Sequence, residues 1–187
     1  MGENVEGAQA IERLAFVDMK EFDDSIRGGI LVTDSATTPL EFRCTSAITP
    51  TSLQKVLYGR QLKEHIASEL IGKPVVSALR ERPSLLVARD RAFLSLRAKI
   101  DLPLVAVFSQ GSAADGGLDD EDVRTGTITS AAGSFEPVIM KPHPRFREDA
   151  EKARALIGQL LIRHSIVELF ERVATALGLV HRHDKGK

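Results

Sequence analysis

The stretch Leu85-Leu86-Val87-Ala88, followed by Arg91 to Lys99 and then by Leu102 to Phe108, decides the fold class. Its outer pieces are apolar at successive positions, with no wet face alternating with a dry one, so both belong to strands covered on both sides. The middle piece has room for a short helix. Strand, helix and strand in so short a span make a compact βαβ unit, whose strands run parallel and whose connection crosses right-handed. The chain is therefore read as α/β (or α+β), with a mixed β-sheet around this unit.

Upstream, Glu12 to Lys20 reads as extended. Leu14, Phe16 and Asp18 share one face, and Ala15, Val17 and Met19 share the other. Gly28-Gly29 leads into the β-rich run Ile30 to Thr33, the turn formers Asp34 to Pro39 follow, and Leu40 to Ser46 resumes the extended pattern. Leu40, Phe42 and Cys44 alternate with Glu41, Arg43 and Thr45, which makes a hairpin with one buried side. Thr49 and Pro50 suit the N-cap and first position of a central helical region, Pro50 to Ile71, with Gly59 as a kink and Gly72-Lys73-Pro74 as a stop.

Downstream, 110–124 reads as a mobile acidic loop and Thr125 to Met140 as a second hairpin, with Pro137 placing its later strand at an edge. A long C-terminal helix runs from about Arg147 to Leu179, with Glu148, Asp149 and Glu151 near its positive end. The hairpin Gly29-Ile30-Leu31-Val32-Thr33-Asp34 with Pro39-Leu40-Glu41-Phe42 resembles the opening hairpin of roadblock-type scaffold domains. That likeness ends there, because the βαβ unit departs from the pattern, and no family is assigned. The domain plan is a disordered N-terminus at 1–10, a single domain at 11–180 and a polar tail at 181–187.

Composition fits a folded globular protein: 187 residues, 43% hydrophobic and 27% charged. With 25 basic against 26 acidic residues, the net charge of -1 offers no global pull on nucleic acid or an anionic membrane. The lone Cys44 and the absence of a basic-then-apolar start point to a reducing compartment, and a cytoplasmic protein is expected, without a membrane span.

Most motifs with a known chemistry are missing. Gly72-Lys73 lacks the upstream glycine and the Ser or Thr of a phosphate-binding loop, and no Gly-x-Gly-x-x-Gly or Gly-x-Ser-x-Gly run exists. The acidic loop lacks the alternating ligands of a calcium loop, and His181, His183 and Asp184 lie on a tail too loose to fix zinc. Cys44 shares its strand face with Leu40 and Phe42 and reads as a structural thiol. No cofactor and no metal site is expected.

Three groups of candidates remain. The broad apolar stripe of the last helix, with Leu156, Leu160, Ile162, Ile166, Leu169 and Phe170, is the candidate interaction face. On it rests the leading expectation: a cytoplasmic protein-interaction or regulatory subunit without catalytic activity of its own, with a protein partner or self-association. The alternative is a metal-dependent phosphoesterase or nuclease, with Asp34, Glu41 and Asp90 gathered around a divalent ion. Turn formation by Asp34 and helix capping by Asp90 are the simpler roles for two of them. The basic run Lys141-Pro142-His143-Pro144-Arg145-Phe146-Arg147 is the candidate nucleic-acid contact, through Lys141, Arg145, Phe146 and Arg147, although its prolines also suit a stiff connector. A small-ligand sensor would need a cleft beside the ends of the βαβ strands.

Overall fold

A computed structural model of the chain describes residues 12–112 and 117–186. It is a mixed α/β structure on a seven-stranded sheet of order β3-β2-β1-β4-β5-β7-β6. The strands are β1 Leu14–Phe22, β2 Ser25–Thr33, β3 Pro39–Cys44, β4 Leu85–Ala88, β5 Leu104–Ser109, β6 Thr127–Ile128 and β7 Val138–Pro142.

The βαβ unit is present as read, with β4 and β5 parallel and Arg91–Lys99 between them as a 3₁₀ segment. On its other side β4 pairs parallel with β1, Leu14 opposite Leu85 and Val17 opposite Ala88. The hairpin strands β2 and β3 continue antiparallel from β1. In the second hairpin β7 lies between β5 and β6, so the edge belongs to β6. Pro137 precedes β7 and removes no ladder hydrogen bond, which is why it does not force that strand to the edge.

Two hydrophobic layers cover the sheet, and strand alternation assigns each residue to one. Leu14, Phe16, Leu85, Val87, Val105 and Val107 face α5 (Asp149–Leu160) and α6 (Ile166–Lys185). Ala15, Val17, Leu86, Ala88, Leu104 and Ala106 face the central helical region and the 3₁₀ segment. That region starts with α1 (Ser52–Tyr58), capped by a Thr51–Gln54 box rather than by Thr49. It bends at Gly59, whose φ is 51°, passes through α2 (Leu62–His65) and widens into a π-helical turn at Ile66–Gly72. It does not stop at Pro74. Pro74 opens one more helical stretch, α3 (Lys73–Ser77), at a helix start where its missing N–H costs least.

The C-terminal helical region breaks at 161–165 into α5 and α6, and α6 carries on to Lys185. The expected loose tail is held there: His181 is buried, stacked on Phe22 at 4.0 Å and hydrogen-bonded by Arg27 Nε at 3.2 Å. Within 110–124, Asp119 and Asp122 cap a short helix, α4 (Asp120–Gly126), which replaces much of the expected loop, while 113–116 and 1–10 lie outside the described residues.

The stripe read as a partner-facing surface belongs to the core. Leu160, Ile166, Leu169 and Phe170 are buried against the sheet, Leu156 is half-buried, and of these six candidates only Ile162 is exposed, at 46%. Two consecutive helices covering a wide sheet require a broader apolar band than one helix would. Among the described residues, no helix is long and apolar enough to cross a membrane.

Candidate functional site

The parallel register that ends at Val17 and Ala88 brings Asp18 of β1 beside Arg89 and Asp90, which follow β4. A cleft of about 850 Å³ opens here, at the C-terminal ends of parallel strands, where α/β sheets collect ligands. Asp18 sits next after Phe16 on the face that α6 covers, so a carboxylate occupies a position the strand pattern assigns to the core. It is 6% exposed. Ile166, Phe170 and Ala174 of α6 form an apolar wall of the cleft, and Phe170 meets Phe16 edge-on at 5.9 Å.

Burial in that setting drives the Asp18 carboxyl up from 3.8 to about 6. The Met19 N–H at 2.8 Å and the Arg89 guanidinium at 3.5 Å act in the opposite direction, and the charge of Asp90 adds to the rise. Asp90 caps the 3₁₀ segment, its Oδ1 accepting from the Ala92 N–H at 2.9 Å, and its Oδ2 pairs with Lys63 Nζ at 2.5 Å.

Among the described residues, five cations line the cleft: Lys20, Arg60, Lys63, Arg89 and Arg91. Lys20 comes from β1, Arg60 from the bend after α1, Lys63 from α2, Arg89 from the residue after β4 and Arg91 from the start of the 3₁₀ segment. The carboxylates facing them are Asp18, Glu64 and Asp90, so the lining is net positive in a chain that is nearly neutral overall. Such a concentration of charge in a concave site attracts anions.

Three acids expected to share a metal do not meet. Thr33 pairs with Leu14, which pairs with Leu85, so Asp34 follows β2 at the end of the sheet where β4 begins. Asp90 lies at the other end, roughly 16 Å further along at about 3.3 Å per residue. Asp34 Oδ1 accepts from the Ala36 and Thr38 N–H groups and shapes its own turn. Glu41 accepts from the Arg80 and Glu81 N–H groups and from Arg43, fastening the chain ahead of β4 to β3. Only Asp90 of the three reaches the cleft.

A divalent metal finds no ready set of ligands here. Among the described residues, no three His, Cys, Asp or Glu side chains gather as a metal site. All four carboxylate oxygens of Asp18 and Asp90 already have donors: Met19 N–H and Arg89 on one, Ala92 N–H and Lys63 on the other.

The basic run lies elsewhere. Pro142 pairs with Val105 at the start of β5, so 141–147 leave the sheet at the end opposite the cleft. Lys141 is ion-paired with Asp122, and Arg97 covers the Phe146 ring at 4.2 Å, while Arg145 and Arg147 are exposed. Cys44 packs half-buried at the edge of the core, and burial raises its thiol pKa, in keeping with a structural thiol.

The reading of the sequence placed Asp18 on the face of Leu14 and Phe16 without treating it as a site. Its signal was there: a carboxylate at a core-facing position of a strand apolar on both sides. The cations carried no such signal, because Arg60 and Lys63 reach the cleft only through the bend at Gly59.

The sheet order defines an α/β fold, and the cleft opens at the ends of β1, β4 and β5. The same fold is found in endonuclease V structures. That of Streptomyces avermitilis superposes with a TM-score of 0.63 at 14% identity, over 94% of this chain and 83% of that one. For Bacillus subtilis endonuclease V the values are 0.57 and 11%, over 92% and 84%, and for the human enzyme 0.52 and 15%, over 94% and 86%. No family model matches the chain, and no curated protein matches it in sequence. At such identities the likeness establishes the fold. The burial of Leu160, Ile166, Leu169 and Phe170 against the sheet removes the apolar surface on which the reading as an interaction subunit rested.

Proposed function

We propose that this chain is a nuclease-class protein that seats the phosphodiester backbone of a nucleic-acid strand in the cleft at the ends of β1, β4 and β5. The observation that carries this reading is Asp18, a nearly buried carboxylate raised to about 6 beside Arg89, in a cleft whose described lining holds five cations. Burial together with a specific charged partner in a cleft is the arrangement that tunes an acid for proton transfer. The endonuclease V fold supports the same reading. Of the acids in the alternative expectation, the proposal retains Asp90 and takes Asp18 in place of Asp34 and Glu41.

In this arrangement the cations hold the non-bridging phosphate oxygens and offset the charge that builds on them during in-line attack. Asp18, ionised above about pH 6, accepts the proton of the attacking water. The new P–O bond forms as the bond to the leaving oxygen breaks, and that oxygen takes up a proton from solvent. Arg89 orients the Asp18 carboxylate.

The test is cleavage of end-labelled single-stranded and duplex DNA and RNA by the whole protein and by Asp18→Asn. Cleavage by the parent and at least a hundredfold loss in the variant, with oligonucleotide binding kept, is the expected result; about that factor follows from removing a general base. Equal cleavage by both proteins, or none by either across the panel, would sink the reading.

A further inference from the structure

We propose that Lys63 is a resident counter-cation of the cleft, occupying the place at Asp90 that a divalent ion would take, so that the native site holds no divalent ion of its own. The inference builds on the phosphodiester reading and asks which positive charge serves that site.

The geometry points to this in three ways. Lys63 Nζ stands 2.5 Å from Asp90 Oδ2, a direct charge-assisted contact, and the other oxygen is taken by the Ala92 N–H. Asp18 has its own partners in Arg89 and the Met19 N–H. The wall of α6 facing these acids presents Ile166, Phe170 and Ala174, and the cleft's third carboxylate, Glu64 of α2, does not gather with Asp18 and Asp90 into a metal-ligating set. A divalent ion bound by one or two carboxylates completes its shell with water and phosphate oxygens, and here it would first have to displace an ammonium already seated on one of them. Side-chain exposure of Lys63 is 58%, so the ammonium is held by Asp90 rather than by packing.

Substituting Lys63→Met removes the charge and frees Asp90 Oδ2 beside Asp18. The variant should then acquire what the parent lacks. The experiment is a Mn²⁺ titration of the free protein, followed by electron paramagnetic resonance, on the parent, Lys63→Met and Lys63→Arg. Lys63→Met is expected to bind a single Mn²⁺ at least about tenfold more tightly than the parent, a difference equivalent to about 1.4 kcal/mol. Lys63→Arg, which keeps the cation, is expected to match the parent. Equal Mn²⁺ affinity in the parent and Lys63→Met overturns the proposal.

Binding of a fluorescent single-stranded oligonucleotide gives the second arm. The parent should bind equally in chelator and in Mg²⁺, and Lys63→Met should lose about tenfold in chelator and recover with Mn²⁺. A parent that binds the strand only with Mg²⁺ also overturns the proposal. Failure of every protein to bind any strand, with the Mn²⁺ contrast intact, refutes the phosphodiester reading and leaves the role of Lys63 supported.

Discussion

Arg89 Nη1 lies 3.5 Å from Asp18 Oδ2, across the boundary of β1 and β4, immediately after the last parallel pair of those strands. The contact is long for an ion pair and falls short of offsetting the burial of Asp18, so the carboxyl stays near 6. The charged form of Asp18 is therefore a burden on the folded state.

That burden has a definite sign with pH. A carboxyl raised from 3.8 to about 6 favours the fold most when protonated, below the unfolded value, and this contribution is lost as pH rises through about 6. Asp18→Asn does not titrate. Urea unfolding should show the variant gaining on the parent by roughly 2–2.5 kcal/mol between about pH 4 and about pH 8. A stability difference independent of pH would show that Asp18 is not buried as described.

The same ionisation adds a negative charge to a cleft that binds anions. In chelator, the affinity of the parent for a single-stranded oligonucleotide should fall as pH rises from about 5 to about 8, more steeply than that of Asp18→Asn. Fluorescence anisotropy of both proteins across this range checks it. Parallel pH profiles would separate Asp18 from strand binding.

Away from the cleft, Arg97 and Asp149 form a bidentate pair that ties the 3₁₀ segment to α5, and Asp149 also accepts the Leu104 N–H. Asp149 is 3% exposed. Arg97→Met strands this carboxylate and should cost about 3–5 kcal/mol in chemical denaturation, as does breaking other buried pairs.

Gly28 marks close approach of β2 to the π-helical turn: a Cβ there would stand 1.9 Å from Ile71 Cγ2. Gly28→Ala should lower stability by about 1–3 kcal/mol. Gly158 in α5 has nothing within 4 Å of such a Cβ, and Gly158→Ala should raise stability by about 0.5–1 kcal/mol. Paired thermal melts decide both.

Where hydrophobic period and turn chemistry carry the information, the fold was legible from the residues. Leu85 to Phe108 gave the parallel centre, and Asp34 to Pro39 gave the turn between β2 and β3. The break between α5 and α6 was not legible, because the apolar stripe runs on through Leu161 and Ile162 while the backbone turns. Nor was the cleft. Asp18 stood out only as an acid on an apolar face, and its partners come from the far end of β4 and from a helical bend, distances in sequence that no local pattern spans. Asp34 and Glu41 were drawn toward Asp90 because each adjoins or lies on a strand. Strand direction, which puts them at the opposite end of the sheet, emerges only once β2 is seen to run against β1.

Two basic surfaces at opposite ends of the sheet give the most direct test of the central claim, that the cleft is the phosphodiester site. The measurement is oligonucleotide affinity against salt for Arg60→Ala/Arg91→Ala and for Arg145→Ala/Arg147→Ala. The first pair should weaken binding at least tenfold and reduce the salt slope by about two, while the second leaves both unchanged. Loss of binding confined to the Arg145 and Arg147 variant would move the site to the other end of the sheet and contradict the account.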